Sequence, residues 1–115
     1  MPFEVKLLEP AAQFVSSLPD RFRAKARRTI ELLETFGYRL PEPHAKVLQG
    51  TQGLRELRVK LGTDICRLFF FHYRGVVYIV TSGYVKKRDQ TDARELERAQ
   101  LLRAAFIEEH GDESV

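Results

Sequence analysis

All five prolines of this chain lie at or before position 43 (Pro2, Pro10, Pro19, Pro41 and Pro43). Proline removes a ladder donor, so a continuous sheet interior is built only where it is missing. The proline-free part opens with residues 54–88, LRELRVKLGTDICRLFFFHYRGVVYIVTSGYVKKR. Leu57, Val59 and Leu61 alternate there with Glu56, Arg58 and Lys60, the period-two pattern of a half-buried strand. Gly62-Thr63-Asp64 reads as a turn, residues 65–73 as a second strand, Arg74-Gly75 as a tight hairpin and residues 76–85 as a third strand. Two short loops in succession predict an antiparallel meander.

The rest of the chain supplies helices to cover that sheet. Phe3, Val5 and Leu7 alternate with Glu4 and Lys6, which suits a short strand over 3–8. Pro10 fits the first turn of a helix over 11–17. Ser17 or Asp20 is expected to cap a second helix over 20–36. Its apolar face carries Phe22, Ala26, Ile30 (with Thr29) and Leu33; Arg21, Arg23, Arg27 and Arg28 lie opposite, Lys25 is at the edge, and Gly37 ends it. Residues 38–52 read as an irregular connection. Asp92 with Glu95 makes a capping-box-like start for a last helix, to about residue 109, whose inner stripe is Leu96, Ala99, Leu102, Arg103 and Phe106. The acidic residues 108–113 are expected to fray. The expected class is α+β: an N-terminal strand and helical hairpin, an antiparallel meander and a C-terminal helix, in one domain over 1–115.

Composition narrows the function. An apolar content of 43% supports a core, and a net charge of +3 favours nucleic acid or an acidic protein as partner. The N-terminus has no signal-peptide core, and the longest apolar run, 66–71, is interrupted by Arg67. A cytosolic protein without a membrane partner is expected. Cys66, the single cysteine, reads as a buried inert thiol, and His72, mid-strand, as a satisfied sheet histidine. His44, His72 and His110 have no ligand spacing, so neither metal nor cofactor is expected.

The strand-borne cations need an explanation. Glu56, Arg58 and Lys60 share a strand face at steps of about 7 Å. Arg67 sits among Cys66, Leu68, Phe69, Phe70 and Phe71, where an unpaired cation would cost several kcal/mol. It requires an anionic ligand or a salt bridge to Glu56 or Asp64. Lys86-Lys87-Arg88 follows the third strand, and by itself fits a solvated strand end. Sequence alone does not give the register that relates these groups.

The ordered set Gly53-Leu54-x-Glu56-Leu57-Arg58, Arg67 before an apolar-aromatic strand, and Gly83-Tyr84-Val85-Lys86-Lys87 resembles the RelE/ParE toxin superfamily. Within it the likeness is to the phage-derived, HigB-like branch, over essentially the whole chain. The resemblance implies a RelE-like fold and a type II toxin–antitoxin toxin, a metal-independent, ribosome-dependent mRNA endoribonuclease that inhibits translation. Its implied partners are a helix-turn-helix antitoxin, mRNA and the ribosome. It implies catalytic roles for Arg58, Lys60, Arg67 and Lys87, with Lys86 as neighbour, and RNA contacts from Glu56, Tyr84 and Arg88. RNA carries its own nucleophile, the 2′-hydroxyl. Arg58 and Arg67 would clamp the phosphate, Lys60 or Glu56 would be the general base, and Lys86 or Lys87 would protonate the leaving oxygen.

Two departures stand out. Arg55 follows the Gly-Leu pair where the branch often has an aromatic residue, and residues 93–115 contain no tyrosine, which leaves Tyr84 as the substitute for the family's C-terminal one. Two other readings compete: a non-enzymatic ParE-like inhibitor of DNA gyrase, and a nucleic-acid-binding module without catalysis.

Overall fold

The structure is a computed structural model that describes residues 2–86 and 91–111. The meander forms as the alternation predicts, from β3 (Arg55–Leu61), β4 (Asp64–Arg74) and β5 (Val77–Lys86). Gly62 and Gly75 take positive φ at its two turns, where a Cβ would be strained. Two more strands flank it: β1 (Glu4–Leu7) pairs parallel with β5, and β2 (Ala45–Val47) pairs antiparallel with β3. The sheet order is therefore β1-β5-β4-β3-β2. The short β2 falls inside the stretch expected to be irregular. Three residues between Pro43 and Gly50 give too little periodicity to announce a strand.

Helices α1 (Glu9–Ser17) and α2 (Asp20–Phe36) form the expected hairpin on one face of the sheet. There Ala11, Val15, Leu18, Phe22, Ala26 and Leu33 meet Leu57, Val59, Cys66, Leu68, Phe70 and Val80. The start of α2 differs from expectation. Pro19 holds the cap position with no side-chain cap bond, Asp20 is already helical and bonds Arg23 at 2.6 Å, and the Ser17 hydroxyl donates back to the Phe14 carbonyl. Arg23 also donates to the Ser16 and Leu18 carbonyls, so it fastens the hairpin where a cap was expected.

The C-terminal helix α3 (Ala93–His110) lies on the opposite face. Ala99, with Leu96 and Phe106, packs on Phe69, Phe71, Tyr73 and Ile79. Asp92 caps it as expected, accepting from the Arg94 and Glu95 backbone N–H groups at 2.9 and 3.4 Å. Arg103 donates to the Thr51 and Gln52 carbonyls while its guanidinium lies over the Phe71 ring. The sheet thus separates two apolar clusters, and no helix among the described residues is long and apolar enough to cross a membrane.

Gly83 shows how closely α1 sits on the sheet. A Cβ there would stand 2.5 Å from a Leu68 methyl carbon and 2.6 Å from the Phe14 ring. Gly83→Ala should therefore overpack this contact and destabilise the fold by about 1–3 kcal/mol, read as a lower urea midpoint. An unchanged midpoint would mean that α1 yields without cost.

Candidate functional site

The strand register brings the separate basic positions onto one face. Arg58 pairs with Arg67 and Arg67 with Tyr84; Lys60 pairs with Ile65 and Ile65 with Lys86; Glu56 pairs with Phe69 and Phe69 with Ser82. Residues opposite one another project to the same side, so Arg58, Lys60, Arg67, Tyr84 and Lys86 share the face that α3 covers in part. Lys87 and Arg88, also expected in the site, lie outside the described residues, as do residues 112 and 113 of the acidic tail.

Like charges directly opposite on neighbouring strands are destabilising, and Arg58 opposite Arg67 is such a pair. Glu56 resolves it. Its Oε1 accepts from Arg67 Nη1 at 2.6 Å and lies 3.7 Å from Arg58 Nε, while its Oε2 accepts from the Thr91 hydroxyl at 3.1 Å. Of the two acidic candidates for Arg67, Glu56 bonds it. Both members are 0% exposed. Arg67, expected to clamp phosphate directly, and Glu56, expected to contact RNA, are instead sealed beneath the surface by each other and by the start of α3. Among the described residues, the cations that solvent reaches here are Arg58, 19% exposed, Lys86, 30% exposed, and the exposed Lys60.

Tyr84 and Lys86 border the same region. The Tyr84 ring stacks on Phe69 at 5.8 Å, and its hydroxyl accepts from the Asp92 backbone N–H at 2.8 Å. Burial pushes that hydroxyl above the ordinary tyrosine range, although the Asp92 N–H and the Arg67 charge pull the other way. It is protonated at neutral pH and is no general base. Lys86 Nζ lies 3.3 Å from Asp92 Oδ2. The Asp92 carboxyl is held below the ordinary range, first by the Arg94 N–H, then by the Glu95 N–H and Lys86. Burial pushes the Cys66 thiol up to about 12, so it stays protonated. Among the described residues no three His, Cys, Asp or Glu side chains gather as metal ligands.

Sequence reasoning missed Thr91 and the second use of Asp92. The capping box located the start of α3, but gave no sign that this start would land on Glu56, Tyr84 and Lys86. Arg55, at the position where an aromatic was expected, turns to the helical-hairpin face. There its guanidinium lies 5.3 Å from the Phe70 ring centre and donates to the Leu40 carbonyl. A flat group thus occupies the position without entering the site.

A sheet ordered this way, with a helical hairpin on one face and a C-terminal helix on the other, is the RelE-like fold. The crystal structure of the archaeal RelE–RelB complex from Pyrococcus horikoshii OT3 matches 79% of this chain and 100% of its own, with TM-score 0.53 and 20% identity. No curated protein matches the sequence. Residues 13–103 match the model of the family described as Phage derived protein Gp49-like (DUF891). The chain belongs to that Gp49-like family.

The buried pair makes a separable prediction. Glu56→Leu or Arg67→Met alone leaves one buried charge without its partner and should cost about 3–5 kcal/mol. The double variant should recover most of that loss, as chemical denaturation would measure. Additive losses would contradict the pairing. For Asp92 the folded pKa lies below the unfolded value, so its contribution is complete above the ordinary aspartate pKa of about 3.9. It is lost as pH falls through the lowered folded value. Asp92→Asn should flatten the thermal-stability profile below about pH 4 and leave its slope above pH 6 alone; an unaltered acid limb would exclude the capping role.

Proposed function

We propose that this chain is the toxin of a type II toxin–antitoxin module, of the HigB-like branch, and that it cuts mRNA on the ribosome without a metal ion. One observation carries the reading: the register gathers Arg58, Lys60 and Lys86 at the end of a sheet face that α3 leaves open. Membership of the phage-derived Gp49-like family and the RelE-like fold support it. The solved relative is a RelE–RelB complex, which supports a cognate antitoxin here too, expected from a small adjacent reading frame.

The positions of the groups support a chemistry of this kind. Strands β3 and β5 are separated by β4, which puts their backbones about 10 Å apart. Long side chains from both can close on one phosphodiester between them. Arg58 holds the non-bridging oxygens and meets the charge that develops on them. Lys60, beside it on β3 and in its neutral amine form, takes the proton of the 2′-hydroxyl as that oxygen attacks phosphorus. Lys86, with Lys87, serves the leaving 5′-oxygen from the other side. The cut would leave a 2′,3′-cyclic phosphate and a free 5′-hydroxyl. Arg67 acts through Glu56 as a positioning residue, fixing the guanidinium of Arg58. Tyr84 and Arg88 would contact flanking RNA, Tyr84 by its edge because its ring is stacked on Phe69.

The test adds the purified protein to a cell-free translation reaction and maps mRNA 5′ ends by primer extension. Wild type should cut only when ribosomes engage the message. Arg58→Ala should lose about 10²–10³ in rate while circular dichroism reports an intact fold. A folded Arg58→Ala protein that cuts like the wild type would sink the site, and intact mRNA alongside blocked DNA supercoiling would favour gyrase as target.

A further inference from the structure

Strand β2 covers only the first part of β3. Its three residues pair with Arg55–Leu57, and the Arg58 N–H donates to the His44 carbonyl at 2.9 Å just past them. Beyond it the edge of β3 is open to the side of α2, from which the Lys25 ammonium donates to the Lys60 carbonyl. A cavity of about 230 Å³ lies in this corner. It is lined by Pro43, Val59 and Ile65 together with Lys25, Thr29, His44, Arg58 and Lys60. Among the described residues no carboxylate lines it.

A lining that mixes apolar and basic residues does not suit a simple anion, which gains nothing from the apolar ones, or a hydrocarbon, which gains nothing from the basic ones. It suits a flat, weakly polar ring carrying a phosphate. Arg58 and Lys60 belong both to this cavity and to the proposed cutting cleft, so a phosphate held there leaves its attached nucleoside beside the opening. Splayed bases of single-stranded RNA pack on imidazole and guanidinium planes as well as on aromatic rings, and His44 and Arg58 supply both.

We propose that this cavity is a nucleotide subsite, receiving the base next to the phosphate held by Arg58 and Lys60, and that it gives the cut its sequence preference. The inference rests on the RNA-cutting reading above and extends it from backbone to base.

The full isotope-labelled chain would be titrated separately with the four nucleoside 5′-monophosphates and with ribose 5-phosphate, followed by amide NMR shifts. At least one nucleotide should bind about tenfold more tightly than ribose 5-phosphate, the scale of one stacked base. The shifts should centre on His44, Ala45 and Val59. His44→Ala, a change at an exposed side chain, should bring that nucleotide down to the level of ribose 5-phosphate. Equal affinity for all five compounds, or shifts confined to Arg67, Tyr84 and Lys86, would overturn the subsite. A protein that cuts mRNA but shows no base contribution refutes only this inference. One that binds nucleotides here but leaves mRNA intact refutes the cutting reaction and keeps the subsite.

Discussion

The Glu56–Arg67 ion pair is the interaction on which this arrangement depends. It lies inside the sheet at 2.6 Å with neither member exposed, and it permits two arginines to face one another on adjacent strands. Through the two oxygens of one carboxylate, β3, β4 and the residue preceding α3's cap are tied at a single point. A buried ion pair is weak evidence of stability, since well-packed apolar residues of similar volume often do as well or better. Its use here is positional, and we read it as the brace for Arg58.

Unequal cover of the two sheet faces explains why the cations are usable at all. On one side α1 and α2 bury the strands from Leu57 to Val80. On the other, α3 packs over Phe69, Phe71, Tyr73 and Ile79 and leaves the ends of β3 and β5 uncovered. The same alternation that sends Leu57 and Val59 into the core sends Arg58 and Lys60 outward. A one-residue slip of β3 would exchange the two sets, burying the cations and exposing the core. The hydrophobic pattern that folds the sheet therefore also orients the site.

That coupling is why much of the fold was legible. The meander, the helical hairpin and the capped final helix each carry a local signal: alternation, helical spacing, or a capping residue. Pairings across long sequence distances carry none. Nothing in Glu4–Leu7 indicates a parallel partner in β5, and three residues of β2 are too few to show a period. The site divides in the same way. That Arg58 and Lys60 share a face follows from strand geometry, and that Arg67 needs an anion follows from desolvation. Whether that anion was a side chain or a substrate depended on register, and the register chose Glu56. Thr91, Asp92 and Lys25 enter the neighbourhood only through folding, so composition gave them no distinguishing mark.

Register also sets what an RNA phosphate would displace in the proposed reaction. Asp92 already places a carboxylate 3.3 Å from Lys86, near where a phosphate is proposed to sit. This pair is part-exposed, about a third on each side, and exposed ion pairs are weak and screened by salt. A polyanion can therefore take the place of Asp92 at Lys86 without unfolding α3, because the backbone N–H groups of Arg94 and Glu95 still hold that carboxylate. Glu56 is the opposite case: sealed and bound to Arg67 and Thr91, it cannot yield to phosphate without opening the sheet. One carboxylate can give way and the other cannot, so in the proposed reaction an RNA phosphate would enter at Lys86 and Lys60 while the position of Arg58 is kept.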